Sequence, residues 1–180
     1  MALSPLECGM RDALLAAQPE MVRRLEAMVA LPTGFGHVAG LDALRAQVAA
    51  RLQALGASVE LVPADPRPAW VDHVPGLDAR APTLVARRLQ GRDGPKLLLC
   101  AHIDTVHDPK GPFQSLQPRG DGALVGPGCV DMKGGVEVML SALESLDRAG
   151  VRVAWTVVVV SDEEDRKSTR LNSSHANISY

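Results

Sequence analysis

With 180 residues, of which 46% are hydrophobic and 22% charged, the chain is long and apolar enough for one globular domain and too apolar for a disordered chain. The formal net charge of −2, without a long basic run, argues against nucleic acid or a membrane surface as a partner and favours a small molecule or peptide. Three scattered cysteines and an N-terminus that does not resemble a secretory signal predict a cytoplasmic protein without a disulfide framework.

The N-terminal part of the chain predicts helices. Apolar residues recur at helical spacing over residues 11–29, but Pro19 interrupts them, so two short helices are expected. A second amphipathic region covers residues 41–55, and Gly56 is expected to end its helix.

Three strands are predicted next. Residues 58–62 and 83–87 have strand patterns, and the proline-rich segment 63–82 between them is expected to be a surface loop. Residues 96–101 form a nearly continuous apolar run, which predicts a strand buried on both faces.

A helix over residues 132–149, ended by Gly150, and a buried strand over residues 153–160 complete the pattern. Helices and strands in this order predict the α/β class and a three-layer α/β/α sandwich. In such folds the functional groups lie at the carboxyl ends of the strands.

The last residues have a different composition. Residues 166–180 are polar and serine-rich and resemble the translated read-through of a sequencing adapter. We therefore expect a domain at 1–165 and a non-native, disordered tail at 166–180; the alternative is a genuine disordered terminus.

His102 and Asp131 are two candidate metal ligands in separate segments of the chain. His102 at a strand end can bind a metal when a carboxylate holds its second ring nitrogen, and Asp104 can supply that carboxylate. Taken alone, a strand-end histidine can equally be a structural hydrogen-bonding group. Asp131 precedes a helix, where it can either bind a metal or cap the exposed amides.

The adjacent carboxylates Glu163 and Glu164 repel each other unless a cation or proton intervenes. Beside a metal, one would bind it and its neighbour would act as general base. An exposed acidic pair without a function is the alternative. The glycines of the segment 126–135 would let the backbone pack closely around such a site.

The remaining histidines and cysteines receive simpler predictions. His37, His73 and His107 are expected to be solvated loop residues rather than ligands. Cys100 is predicted to lie in the core and Cys129 to pack near the candidate ligands, without a partner set for nucleophilic catalysis.

Three motifs in series resemble the M20 metallopeptidase family. They are His102-x-Asp104-Thr105-Val106, Gly126-Pro127-Gly128-x-x-Asp131-Met132-Lys133-Gly134-Gly135 and Asp162-Glu163-Glu164. The family includes carboxypeptidase G2, acetylornithine deacetylase and succinyl-diaminopimelate desuccinylase, and the Gly-Pro-Gly sequence resembles the carboxypeptidase G2 branch more than the deacylases. The resemblance implies that the chain is the N-terminal part of a zinc-peptidase catalytic domain.

The resemblance also implies roles for single residues. His102 would bind one zinc ion, Glu164 the other, and Asp131 would bridge the two. Catalytic roles fall to Glu163, as general base, and to Asp104, which orients the histidine. Cobalt or manganese could replace zinc. The implied reaction is hydrolysis of an amide or peptide bond in a small peptide or N-acyl amino acid, and the full-length protein could be a homodimer.

Family members carry a further acidic ligand and a distant histidine, and neither is assigned in this sequence. His175 lies in the tail and receives no ligand role. The chain is therefore expected to be inactive as it stands. The alternatives are a non-catalytic metal-binding or structural fragment, and an α/β domain with coincidental motifs, in which His102, Asp131 and Glu164 would lie far apart.

Overall fold

The computed structural model describes residues 2–34, 36–65, 80–89 and 96–164. Helices and strands follow one another in the mixed order of the α/β class, as predicted. In chain order they are α1 (Pro5–Val29), α2 (Val38–Ala54), β1 (Ser58–Val62), β2 (Thr83–Arg88), β3 (Lys96–His102), β4 (Gln117–Pro118), β5 (Leu124–Val125), α3 (Lys133–Arg148) and β6 (Ala154–Val160).

Four strands form one mixed sheet in the order β1-β2-β6-β3, and β4 and β5 pair separately. Strand β2 is antiparallel to β1 and β6, whereas β3 is parallel to β6. His102 pairs with Val160 at the last position of this parallel ladder. The two parallel strands therefore end at the same edge of the sheet, which brings together the residues that follow them.

The helices pack on one face of this sheet. Alternating residues of β2, β3 and β6, such as Ala86, Leu99 and Val157, face a single core to which all helices of the described residues contribute. Buried helix residues recur at three-to-four spacing, as an amphipathic helix requires: Leu41, Leu44, Val48 and Leu52 in α2, and Val136, Leu140 and Leu143 in α3. Two of the three expected layers thus lie within the described residues.

Helix α1 corrects the prediction of two short helices. It runs unbroken from Pro5 through Pro19. The side chain of Pro19 is exposed, so water can satisfy the carbonyl that proline leaves without an intrahelical partner. The helix begins at a capping box, in which Ser4 and Glu7 exchange hydrogen bonds between side chain and backbone. The sequence carries the signal for this start, a Ser-x-x-Glu pattern with proline at the first helical position.

The prediction that β3 is buried on both faces is wrong. It lies at the edge of the sheet in the described residues, and Leu98 and Cys100 are exposed on the face opposite the helices. Cys100 is therefore not a core residue. Apolar composition cannot tell a strand with two covered faces from a strand with one, because that depends on what packs against it.

His37 is not simply a solvated loop residue. It is the N-cap of α2, and its Nδ1 lies 2.8 Å from the Pro32 carbonyl oxygen and 3.2 Å from the Gly40 amide nitrogen. Residues 66–79 of the predicted loop, His73 among them, and the predicted tail lie outside the described residues. Within the described part of the chain, no helix has the length and apolarity to cross a bilayer.

Candidate metal centre

Three potential ligands meet where β3 and β6 end. His102 is the last residue of β3, and Glu163 and Glu164 follow β6 after a short turn. One ligand atom of each of these three side chains lies within 4.8 Å of the other two. The parallel pairing of β3 and β6 produces this cluster, because it ends both strands at one edge of the sheet.

Asp131 joins the cluster through His102. Its Oδ1 lies 2.8 Å from Nε2 of His102, and its side chain is 61% exposed. The N-cap residue of α3 is Met132, which makes no side-chain cap hydrogen bond. Asp131 is therefore not the N-cap residue of this helix, and its carboxylate faces the histidine.

Asp104 connects the two strand ends. Its backbone carbonyl accepts a hydrogen bond of 3.1 Å from Nδ1 of His102, and its Oδ1 lies 3.4 Å from the same nitrogen. Its Oδ2 accepts a hydrogen bond of 2.6 Å from the backbone amide of Glu164. With Nδ1 donating, the other ring nitrogen of His102 is directed at Asp131, as a metal-binding histidine requires.

The electrostatics of the site favour cations. Burial opposes the charged form of His102, but hydrogen bonds with Asp104 and Asp131 outweigh it and raise the pKa of the imidazole to about 9. The same partners that attract a proton would attract a metal ion.

Burial lowers the pKa of Lys133 to about 8, and its ammonium group donates a hydrogen bond of 2.8 Å to the Leu31 carbonyl.

Glycines bring the backbone close to the site. Gly128 has a φ of +69°, and a Cβ there would lie 2.6 Å from the methyl carbon of Thr105. A Cβ on Gly134 would lie 2.3 Å from the Cys129 carbonyl oxygen. The turn that presents Asp131 therefore requires glycine at both positions, as the sequence predicted.

Two contacts that support the site were not predicted from the sequence. Arg80 forms an ion pair with Asp162, directly before the two glutamates. The backbone amide of His102 donates a hydrogen bond to the Met132 sulfur at 3.3 Å. Met132 stands in the same motif as Asp131, which was the available signal, whereas no local pattern connects Arg80 with a residue so distant in the chain.

A cavity of about 480 Å³ opens beside the cluster. Its walls come from residues 105–107, 125–126 and 128–131, with Phe113 and Glu164. Cys129 and Asp131 both line it, in agreement with the prediction that Cys129 packs near this site. His107 is half-buried and meets the ring of Phe113 edge to face, with ring centroids 5.2 Å apart.

These donors suit a divalent metal. One imidazole nitrogen and several carboxylate oxygens, held at a buried strand edge, form the nitrogen and oxygen set that zinc accepts. His102 lies 2.8 Å from Asp131, and its ligand atom is within 4.8 Å of that of Glu164. The alternative of coincidental motifs on distant side chains is therefore wrong.

Known proteins share this sequence pattern. The family described as "Peptidase family M20/M25/M40" matches residues 98–176. Carboxypeptidase G2 from Pseudomonas sp. (strain RS-16) is 33% identical over 156 residues, which are 84% of this chain and 34% of that protein. Succinyl-diaminopimelate desuccinylase from Leptothrix cholodnii is 35% identical over 134 residues, or 70% of this chain and 31% of that protein. The chain thus spans about one third of the length of these relatives.

Solved structures share the fold. Human carnosine dipeptidase 1 superposes with a TM-score of 0.72 at 22% identity, over 89% of this chain and 36% of that one. An M20 family metallo-carboxypeptidase from Sulfolobus solfataricus gives a TM-score of 0.61 at 19% identity, over 82% and 32%. The described residues therefore have the fold of part of each of these proteins.

Proposed function

From the premise that this chain belongs to peptidase family M20, a family of metal-dependent hydrolases, we propose that its strand-edge cluster serves zinc-dependent hydrolysis of an amide or peptide bond. The convergence of His102, Glu163 and Glu164 at one sheet edge carries the proposal. The proposed substrates are small peptides or N-acyl amino acids, as for a carboxypeptidase G2-like enzyme.

The chain's own ligands would be His102, the exposed Asp131 and Glu164. Cobalt or manganese could take the place of zinc. When bound, the metal supplies Lewis-acid polarisation of the scissile carbonyl.

Two further residues would transfer a proton or orient the ligands. Glu163, next to a ligand and partly buried, would accept a proton from the attacking water and deliver it to the leaving amine. Asp104 would hold the His102 ring through Nδ1 and the Glu164 backbone through its amide, so that both face the same space.

The compartment and assembly are part of the proposal. All three cysteines are free thiols, which suits the reducing cytoplasm. A homodimer is proposed for the full-length protein.

Metal binding tests the site first. The chain is stripped of metal with a chelator and titrated with zinc, followed by calorimetry and metal analysis. Glu164→Gln is expected to lose zinc affinity, whereas Glu163→Gln and the exposed control Glu60→Gln keep it. Absence of zinc binding, or equal binding by Glu164→Gln and the control, would contradict the proposed ligands.

Hydrolysis tests the reaction. N-acyl amino acids are offered to the zinc-loaded chain and to the product of the gene's full reading frame. Among the described residues this is the only cluster of potential ligands, and the further ligands that family members carry are not assigned in this sequence. We therefore expect turnover in the longer product and none in the 180-residue chain. In the longer product Glu163→Gln should retain zinc and lose turnover. Turnover that survives Glu163→Gln would exclude it as the general base, and a longer product without turnover would favour the non-catalytic alternative.

A further inference from the structure

The cavity beside the metal cluster has several apolar side chains in its walls, and the proposed function assigns no role to them. It shares Asp131 and Glu164 with the cluster, so a molecule that reaches these carboxylates also reaches the cavity. We propose that this cavity is a substrate subsite for an uncharged, apolar side chain or acyl group. The inference rests on the proposed function, because it names the class of substrate for the same site.

The walls are suited to apolar groups. Phe113 and Val125 line the cavity, and Val106 and Val130 contribute exposed apolar side chains to it. Phe113 also meets His107 edge to face, an arrangement that aromatic pairs prefer. A volume of about 480 Å³ is within the range of small-molecule sites and can hold an aromatic or branched aliphatic side chain.

The charges argue against an acidic group. Asp131 and Glu164 are carboxylates, and no lysine or arginine is among the described residues that line the cavity. A glutamyl or succinyl carboxylate would meet two like charges there, and the repulsion between carboxylates disfavours its charged form. A bound cation that neutralises Asp131 and Glu164 would remove their repulsion of a substrate carboxylate. It would still supply no basic side chain to bind the substrate carboxylate.

Cys129 provides a direct probe of occupancy. Cys129 lines the cavity and is partly exposed, whereas Cys100 is exposed on β3 and does not line the cavity. The zinc-loaded chain is treated with iodoacetamide, and the alkylation of each cysteine is followed by peptide mass spectrometry. N-acetyl-L-phenylalanine and N-acetyl-L-glutamate are compared as ligands, because they share the acetyl and α-carboxylate groups and differ only in the side chain.

The phenylalanine derivative is expected to protect Cys129 selectively. At about ten times its dissociation constant it should slow alkylation of Cys129 by about tenfold and leave Cys100 unchanged. The glutamate derivative at the same concentration should protect little. Equal protection by the two ligands, stronger protection by the glutamate derivative, or no protection by either would overturn the proposal.

A charge placed at the cavity should invert this preference. Val106 lines the cavity and is 69% exposed, so Val106→Lys adds a cation without disturbing the core. Val138 on α3, 61% exposed and absent from the cavity lining, gives the matched control Val138→Lys. We expect Val106→Lys to gain protection by N-acetyl-L-glutamate and Val138→Lys to behave as the parent chain. Identical behaviour of the two variants would contradict the assigned cavity.

The subsite and the hydrolase can fail separately. Protection of Cys129 requires binding but no turnover, so it reports on the subsite in an inactive chain. Selective protection together with absent hydrolysis in the full reading frame would leave the subsite and exclude the reaction. Zinc-dependent hydrolysis that favours acidic side chains would leave the reaction and exclude the subsite.

Discussion

Asp104 and Glu164 are joined by a hydrogen bond of 2.6 Å, from the backbone amide of Glu164 to Oδ2 of Asp104. The two residues are far apart in the chain and follow adjacent parallel strands. Since Asp104 also contacts His102 through its carbonyl oxygen, one residue sets the position of two proposed metal ligands. This double contact makes Asp104 a sensitive point at which to test the site.

The variant Asp104→Asn should weaken metal binding. It keeps the size of the side chain but removes the negative charge beside His102 and one acceptor for the Glu164 amide. We expect zinc affinity to fall by about 10–100-fold, as measured by competition with a chromophoric chelator. Asp121→Asn, in an exposed turn where Asp121 pairs with Arg119, is the control. Equal affinities for the two variants would show that Asp104 does not support the ligands.

The glycines that begin α3 should differ in their tolerance of alanine. In Gly134→Ala the new methyl group would meet the Cys129 carbonyl oxygen at 2.3 Å, so the turn carrying Asp131 must move. In Gly135→Ala it would meet only the Met132 methyl group at 3.3 Å, which can rotate, and alanine favours the helix by up to about 1 kcal/mol.

Thermal unfolding and zinc titration of both variants check this prediction. Gly134→Ala should lower both the Tm and zinc affinity, and Gly135→Ala should leave both near the parent values. A Gly135→Ala chain as impaired as Gly134→Ala would contradict the steric argument.

A buried ion-pair network joins the three helices. Glu137 in α3 is buried and accepts hydrogen bonds from Arg24 in α1, Arg51 in α2 and its helical neighbour Ser141. Glu137→Gln removes this charge, while Arg51 keeps its ion pair with Glu144, and we expect a loss of about 2 kcal/mol in the free energy of unfolding. The exposed pair of Glu20 and Arg23 should contribute under about 1 kcal/mol.

Urea denaturation of Glu137→Gln and of the control Glu20→Gln measures the two losses. Zinc affinity should change little in Glu137→Gln, provided that the protein remains folded, because Glu137 is not one of the proposed ligands. A loss in Glu137→Gln no larger than in the control would show that the network contributes little to stability.

The metal-free protein should lose stability towards alkaline pH through His102. Its pKa of about 9 in the folded state lies above the ordinary value of 6.5, so the bound proton stabilises the fold. This contribution is complete below about pH 6.5 and disappears as the pH rises through about 9.

The Tm difference between the parent chain and His102→Gln, measured in chelator, should therefore shrink over this pH range. Lys133 also titrates near pH 8, but it is present in both chains and largely cancels from the difference. A difference that is constant with pH would contradict the raised pKa of His102.

Local patterns predicted most of the secondary structure. The strands β1, β2 and β6 and the helices α2 and α3 lie close to their expected positions, because apolar periodicity depends on which face is buried. Helix α1 was misjudged at Pro19, since the cost of an interior proline depends on whether water can reach the carbonyl left without a partner. The burial of β3 was misjudged because edge position is a property of the sheet.

The sequence by itself determined the residue types of the site and the α/β class, because motifs and periodicity are local in the chain. Only the tertiary structure decided that Glu164 hydrogen-bonds to Asp104, that Asp131 faces His102, and that an apolar cavity opens beside them. These relationships depend on the parallel pairing of β3 and β6 and on the path of the turn before α3. The strand pairing joins segments distant in sequence, and the turn packs against Thr105 as well as on its own glycines, so no local pattern encodes either in full.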